Sequence, residues 1–363
     1  MSQDAAGDPT KGGRVSVALC TYNGARYLKD QLDSIASQTL FPHELVVCDD
    51  RSTDDTVGIV RAFASRARFP VRLFLNTTNL GSTKNFEQAI RLCKGDLIAL
   101  SDQDDVWFPQ KLERIVAVFS ASPEVGAVFT DAEMVDDSLR PLGHRLWDAA
   151  AFGKAPQRLV TQRRTVQVLL KYNVVTGATM AFRSRFRDVV LPIPGAWVHD
   201  AWIALLIAAV ADLAIIRDPL IRYRQHAGQQ IGAIKKKEKN WFALLRFSLA
   251  DAFSDPQAYV ARWDRNFLAY ADQYRMAYER LSGMLRPPGH PALARCRAKA
   301  AHFRARAEMS QHRWLRFPMV MKELFGLRYH RYSSGTKSLA KDLVRAALFW
   351  TGSTRRASQV GMP

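Results

Sequence analysis

Between Leu97 and Trp107 the chain reads LIALSDQDDVW: a short apolar run ends abruptly in Ser101, Asp102, Gln103, Asp104 and Asp105. Three aspartates within four residues repel one another, so a chain that gathers them at the end of a strand needs a cation to hold them there. Oxygen donors favour a hard divalent ion, Mg²⁺ or Mn²⁺, and such ions share their coordination sphere with the phosphates of a bound nucleotide. Asp102 and Asp104 are the candidate ligands. The competing explanation is an Asp-rich turn leading into a helix near Pro109, because aspartate is also a favoured N-cap residue.

Those aspartates need elements to carry them. Val15–Leu19, Glu44–Cys48, Val71–Leu75 and Leu97–Leu100 are strand-like apolar runs that begin 29, 27 and 26 residues apart. The segments between them, Tyr27–Ser37, Thr56–Ser65 and Thr83–Cys93, carry apolar residues at helical spacing. This alternation predicts a doubly wound, mainly parallel α/β sheet with helices on both faces. Ligands on such sheets bind beyond the carboxyl ends of the strands. The residues there are Thr21, Tyr22 and Asn23 after the first run, Asp49 and Asp50 after the second, and the acid cluster after the fourth. Tyr22 can wall a base, and Asp49 or Asp50 can accept a hydrogen bond from a base N–H. A turn or N-cap role with Ser52 and Asp54 is the alternative for those two aspartates. No G-x-G-x-x-G follows the first strand and no G-x-x-x-x-G-K-[ST] occurs, so phosphate must be neutralised by something other than a glycine-rich loop.

The ordered stretches VSVALCTYNGARYLKDQLDSIASQTL, ELVVCDDRSTDDT, NLGSTKNFEQAI and GDLIALSDQDDVWFPQKL resemble the nucleotide-binding half of family 2 glycosyltransferases with the GT-A fold, and SDQDDVW is similar to the variant in rhamnosyltransferase-like members. The resemblance implies that Tyr22 flanks a pyrimidine base and that Asp50, or less favourably Asp49, reads it. It implies that Asp102 and Asp104 form the DxD pair, with Asp104 the principal metal ligand. Thr21, Asn23, Lys84, Asn85 and Gln103 would complete the nucleotide-sugar pocket.

Two further positions stand downstream. PGAWVHDAWIALLIAAV places His199 and Asp200 ahead of an apolar, helix-like run. A helix N-terminus keeps a carboxylate ionised, which a general base must be, although a plain N-cap uses the same residue. The segment TGATMAF followed by this HD resembles the place where family 2 enzymes put their base, which favours Asp200. His226, in RYRQHAGQQIG, resembles the histidine that completes the metal's shell in related transferases. A nitrogen ligand would tilt the site toward Mn²⁺.

The formal net charge of +18 is unevenly spread. Residues 1–232 hold 27 Lys+Arg against 25 Asp+Glu, whereas residues 233–363 hold 25 against 9. The expected organisation is a GT-A domain over 1–232, with a nucleotide-binding half of about 14–120 and an acceptor half of about 121–232, followed by a basic, mostly helical C-terminal region over 233–363. That region suits an anionic surface, and Trp241, Phe242, Phe349 and Trp350 would give it an apolar component. Cys20, Cys48, Cys93 and Cys296 form no C-x-x-C pair, which speaks against a zinc site or a disulfide framework. The first 14 residues have no signal-peptide pattern, and the longest uncharged apolar segment of the middle region, Ala201–Ala211, is too short to span a bilayer. The expected location is the cytoplasm, with peripheral contact at the inner face of the membrane.

The function these features predict is metal-dependent, inverting transfer of a sugar from a dTDP- or UDP-linked donor, rhamnose from dTDP-rhamnose by the resemblance, to a polysaccharide or lipid-linked glycan. A homo-oligomer is compatible with it. A sugar-nucleotide-forming nucleotidyltransferase would need a Gly- and Arg-rich loop after Leu19, which is absent. A nucleic-acid-binding protein would use the basic tail, but carboxylates at Asp102–Asp105 would repel its ligand.

Overall fold

The computed structural model describes residues 13–227, 229, 254–285, 289–309 and 315–351. The chain divides into two compact units, residues 1–169 with 174–235, and residues 236–363 with 170–173.

The first unit opens with β1 (Val15–Thr21), α1 (Ala25–Ala36), β2 (Glu44–Asp49), α2 (Thr56–Ala64), β3 (Val71–Leu75), α3 (Ser82–Leu92) and β4 (Leu97–Ser101). β1, β2 and β4 are buried at every position, so side chains on both faces of the sheet are covered. The next elements are β5 (Val106–Trp107), α4 (Lys111–Ala121), β6 (Val125–Val135), β7 (Pro141–Arg145), α5 (Leu146–Ala149), α6 (Lys154–Thr161) and α7 (Thr165–Leu169). β8 (Met180–Arg183), α8 (Arg187–Val190), α9 (His199–Val210) and β9 (Asp212–Arg224) complete the unit.

Among the described residues these strands form one nine-stranded sheet, in the order β3-β2-β1-β4-β8-β6-β9-β5, with β7 paired to β6. β3, β2, β1 and β4 are mutually parallel. β8 is antiparallel to both β4 and β6, and β9 is parallel to β6. Two antiparallel steps restore the original direction. The carboxyl end of β9, with Arg224 and the following His226, therefore emerges at the same edge of the sheet as Asp102 and Asp104.

The four early strands and their helices lie within one or two residues of the spans read from the apolar pattern. The later half differs more. The run Val125–Thr130 continues to Val135, and the stretch 131–159, which the sequence presents as a loop-rich excursion, contains β7, α5 and α6. Pro219 reads as a turn, yet it lies inside β9. The register of β6 against β9 shifts between Thr130 and Asp131, opposite Ile216 and Pro219, and that irregularity accommodates a residue without an N–H.

The second unit is helical: α10 (Pro256–Ser282), α11 (Pro291–Glu308), α12 (Arg316–Phe325), α13 (Arg328–Tyr332) and α14 (Thr336–Thr351). Asp255 caps α10 by accepting from the Ala258 N–H at 2.9 Å. Its interior carries a buried ionic network: Arg306 donates to both oxygens of Asp342, which also accepts from the Tyr329 hydroxyl at 2.8 Å and from Arg345. His302 bridges Glu323 and Ser333, at 2.5 and 2.8 Å. Removing one member of such a network costs about 3–5 kcal/mol, because its partner is left charged and buried. Trp241 and Phe242 lie outside the described residues, as do the side chains of Phe349 and Trp350. Among the described residues no helix is long and apolar enough to cross a membrane. All four cysteines are buried and free of disulfides.

Candidate active site

The loop after β4 is clamped by one buried arginine. Arg224, at the end of β9, donates its Nε–H to the Asp104 carbonyl at 2.7 Å and its Nη2–H to Asp30 at 2.9 Å, while its backbone N–H reaches Asp105 Oδ1 at 3.0 Å. The guanidinium also lies 4.5 Å from the centre of the Tyr27 ring. Tyr27 packs on its other neighbour, His226, with ring centroids 4.6 Å apart. The imidazole is thereby held with Nε2 2.9 Å from Asp104 Oδ2. Neither Arg224 nor Tyr27 stands out in the sequence as a site residue. The available signal is the position of Arg224 two residues before His226, in a strand whose end meets the acid cluster.

Carboxyl groups crowd this edge and raise one another's pKa. Asp102 keeps some exposed surface, yet desolvation of its carboxyl, followed by the charges of Asp104 and Asp200, pushes its pKa up to about 7. Burial raises Asp105 well above the ordinary carboxylate range, with Asp104 and Asp102 adding to it. Among the described residues Asp105 Oδ2 has no hydrogen-bond partner. Burial, and then Asp105, Asp102, Asp104 and Asp200 together, keep the Tyr223 hydroxyl protonated. The nearby Lys111 is itself desolvated, which lowers its pKa, and its ammonium is spent on the Ala178 carbonyl at 2.6 Å and the Trp107 ring at 3.6 Å.

A divalent cation fits this donor set. Two ligands bound side by side at about 2.1 Å from one ion lie about 3 Å apart, close to the observed spacing of Asp104 Oδ2 and His226 Nε2. Among the described residues no group of three or more His, Cys, Asp or Glu could hold a metal unaided.

Asp200 lies in the first turn of α9, half-buried, and accepts the Gly177 N–H through Oδ2 at 3.1 Å. His199, one residue earlier, stacks on Phe86 with centroids 4.0 Å apart, and among the described residues its two ring nitrogens have no hydrogen-bond partner. A Cβ at Gly177 would come within 2.6 Å of His199 Nε2, so glycine allows this approach. Burial lowers the pKa of His199 to about 3. Above the unfolded-state pKa of about 6.5 the ring is neutral in both states and contributes no pH dependence. Below it the unfolded chain takes up a proton that the folded chain refuses, so stability falls by up to about 1.4 kcal/mol per pH unit. His199→Gln should make the fall in urea-unfolding stability between pH 6 and pH 4 shallower by about one proton. A variant with the wild-type slope would show that the buried ring does not govern acid sensitivity.

The nucleotide-side candidates surround the ends of β1 and β2. Tyr22 is exposed, and Gln103 brackets its backbone, accepting the Tyr22 N–H at 2.8 Å and donating to its carbonyl at 3.0 Å. Gly24 leaves room for that amide, since a Cβ there would sit 2.2 Å from Gln103 Oε1. Asn23 and Arg51 both adopt left-handed backbone, φ +47° and +68°, a conformation that costs non-glycine residues energy. Asn23 Oδ1 accepts the Thr53 N–H at 2.8 Å. Thr21 donates its hydroxyl to Asp49 Oδ2 at 2.8 Å, and Asp49 also accepts the Ser52 N–H and hydroxyl.

Asp50 is buried and accepts the N–H groups of Leu80 and Gly81 at 2.7 and 2.8 Å together with the Asn76 amide. Asn85 is buried too, accepting from the Asn76 amide at 3.0 Å and donating to the Cys48 carbonyl at 2.8 Å. Lys84 donates to Glu87 at 2.7 Å and the Ile193 carbonyl at 2.6 Å. Thus Tyr22 stands exposed with Gln103 holding its backbone, Asp50 is bonded to the loop after β3 and Asn85 to β2, and Lys84 ties α3 to residue 193.

Residues 16–190 match the Glycosyl transferase family 2 profile. An uncharacterized Mycobacterium tuberculosis protein is 27% identical over 235 residues, which cover 62% of this chain and 63% of the relative. The Bacillus subtilis putative glycosyltransferase EpsE is 34% identical over 126 residues, 35% of this chain and 45% of its own. Residues 1–349 of S. aureus TarS, solved in complex with UDP-GlcNAc, superpose with a TM-score of 0.52 at 18% identity, covering 93% of this chain and 92% of that one. That likeness is one of fold, and it agrees with the mixed, mostly parallel GT-A-like sheet and helical C-terminal region described above. The sheet with its polar carboxyl edge, the ordered motifs around Tyr22, Asp50 and Asp104, and the profile match agree: residues 16–190 are a glycosyl transferase family 2 domain.

Proposed function

We propose that this chain is a metal-dependent, inverting glycosyltransferase that takes a sugar from a nucleotide donor and places it on a polysaccharide or lipid-linked acceptor. The observation that carries the reading is the meeting of Asp102 and Asp104, which lie within the family 2 match, with Asp200 and His226, which lie beyond it in the chain, at one sheet edge. Asp104 and His226 would hold the cation, with Asp102 beside them, and the bound ion would offset the charge of the leaving diphosphate. Tyr22, braced by Gln103, would take the face of the base, and Asp50, or Asp49, would accept from its edge.

Asp200 accepts the proton of the acceptor hydroxyl. As that O–H breaks, the acceptor oxygen bonds to the anomeric carbon, and the bond from that carbon to the diphosphate oxygen breaks on the opposite face. One displacement inverts the centre, and no protein nucleophile is required. The resemblance of SDQDDVW to rhamnosyltransferase-like members makes dTDP-rhamnose the donor favoured here. The uridine nucleotide sugar held by S. aureus TarS makes UDP-linked sugars the comparison set.

The test is a donor panel, read as nucleotide release by purified protein with Mn²⁺, with Mg²⁺ and with chelator. The reading expects release from dTDP-rhamnose above the other donors, dependent on the ion. Release from none of the donors, or release insensitive to chelation, would refute it.

A further inference from the structure

In the helical unit, α12 has inverted polarity. Its inward face holds Arg316, Val320 and Glu323: Arg316 donates to the Met309 carbonyl, and Glu323 bonds His302 at 2.5 Å and Arg328 at 2.8 Å. Its outward face shows water Phe317 and Phe325, at 60% and 77% exposure, and the chain on either side adds Leu315 and Leu327, at 55% and 52%. A surface helix ordinarily does the opposite, because exposed phenylalanine costs hydrophobic free energy and buried charge costs desolvation. Four large apolar side chains exposed within thirteen residues suit a contact with something apolar.

The surrounding charge decides which contact. From Leu315 to Ala346 the sequence has seven Lys or Arg and two carboxylates. Both carboxylates, Glu323 and Asp342, are buried and paired inward. The exposed charges, Lys322, Arg331 and Lys337 among them, are therefore all positive. Two copies meeting through this patch would set like charges against each other. An anionic bilayer complements both features, offering acyl chains to the phenylalanines and headgroups to the lysine and arginines.

We infer that the outward face of α12, with Leu315 and Leu327, is a membrane-docking surface for anionic lipid. Phe317 and Phe325 enter the boundary between headgroups and acyl chains while Lys322 and Arg331 stay among the phosphates. The inference is independent of the transferase reading.

Full-length protein would be floated with vesicles of phosphatidylcholine alone and with added phosphatidylglycerol, at low and high salt. Wild type should bind the anionic vesicles preferentially. A double variant, Phe317→Ser with Phe325→Ser, should bind them about tenfold or more weakly, because its apolar contribution is gone. A second double variant, Lys322→Glu with Arg331→Glu, should lose the preference for phosphatidylglycerol. Donor hydrolysis without vesicles should be the same in all three proteins, which keeps a failed docking result apart from a failed assignment of activity. Wild type that ignores anionic vesicles at low salt overturns the inference, as does a serine variant that binds like wild type. A wild-type dimer that the serine substitutions disperse, or capture of an oligonucleotide with vesicles ignored, would assign the patch to another partner and overturn it equally.

Discussion

Asp104→Ala should abolish sugar transfer and weaken metal-dependent binding of the nucleoside diphosphate by about 10²-fold or more, since a first ligand to a phosphate-bridging ion is worth several kcal/mol. The expectation rests on what this side chain does and what it does not do. Its Oδ2 faces His226, whereas the loop is held by its backbone carbonyl, which accepts from Arg224, and by the carboxylate of Asp105. The substitution should therefore leave the fold intact while removing the carboxylate that faces His226 and is proposed to hold the ion. Calorimetric titration of the diphosphate with Mn²⁺ present and absent measures the effect, with circular dichroism as the check on folding. Affinity equal to wild type in Mn²⁺ would show that the aspartates are only a turn leading into α4, and the metal would then have to be withdrawn from the mechanism.

The parts of this site legible in the sequence are those carried by local pattern. β1, β2 and β4 are uniformly apolar and uniformly buried, so their ends, and the polar residues just beyond them, could be located from hydrophobic runs alone. What local pattern could not supply is the long-range clamp. Arg224 lies 120 residues from the Asp104 carbonyl it holds, and it reaches that group only because β9 pairs with β6 and returns to the same edge. Asp50 shows the converse limit. Its position after β2 was readable, but its bonds to Leu80 and Gly81 depend on how the loop after β3 folds back. A proline signals a break in a strand unless a register shift against the partner strand absorbs it, as happens at Pro219, and that shift is not visible in local pattern. The inverted polarity of α12 is legible only once the faces are known: RFPMVMKELF has helical periodicity, and nothing in it says that the charged stripe is the inner one.

Asp200→Asn should cut turnover by about 10²- to 10⁴-fold, the usual contribution of general base assistance, while leaving donor affinity within a few-fold of wild type. Asparagine keeps an oxygen that can accept the Gly177 N–H, so the first turn of α9 and the stacking of His199 on Phe86 should persist. What disappears is the capacity to take a proton. Two other carboxylates of the same unit are engaged by other partners: Asp131 is buried and accepts the N–H groups of Ala132 and Trp147, and Glu133 is paired with Arg222 at 3.4 Å. Asp102 and Asp104 are assigned to the cation and to the charge around it, and a carboxylate bound to a divalent ion is a weak base. Steady-state kinetics with a defined acceptor, varying donor and acceptor separately, would read the loss in kcat with donor KM nearly unchanged. Turnover within a few-fold of wild type would exclude Asp200 as the base, and the proton would then have to leave through Glu133, whose ion pair with Arg222 is the more readily broken of the two alternatives because both partners are partly exposed.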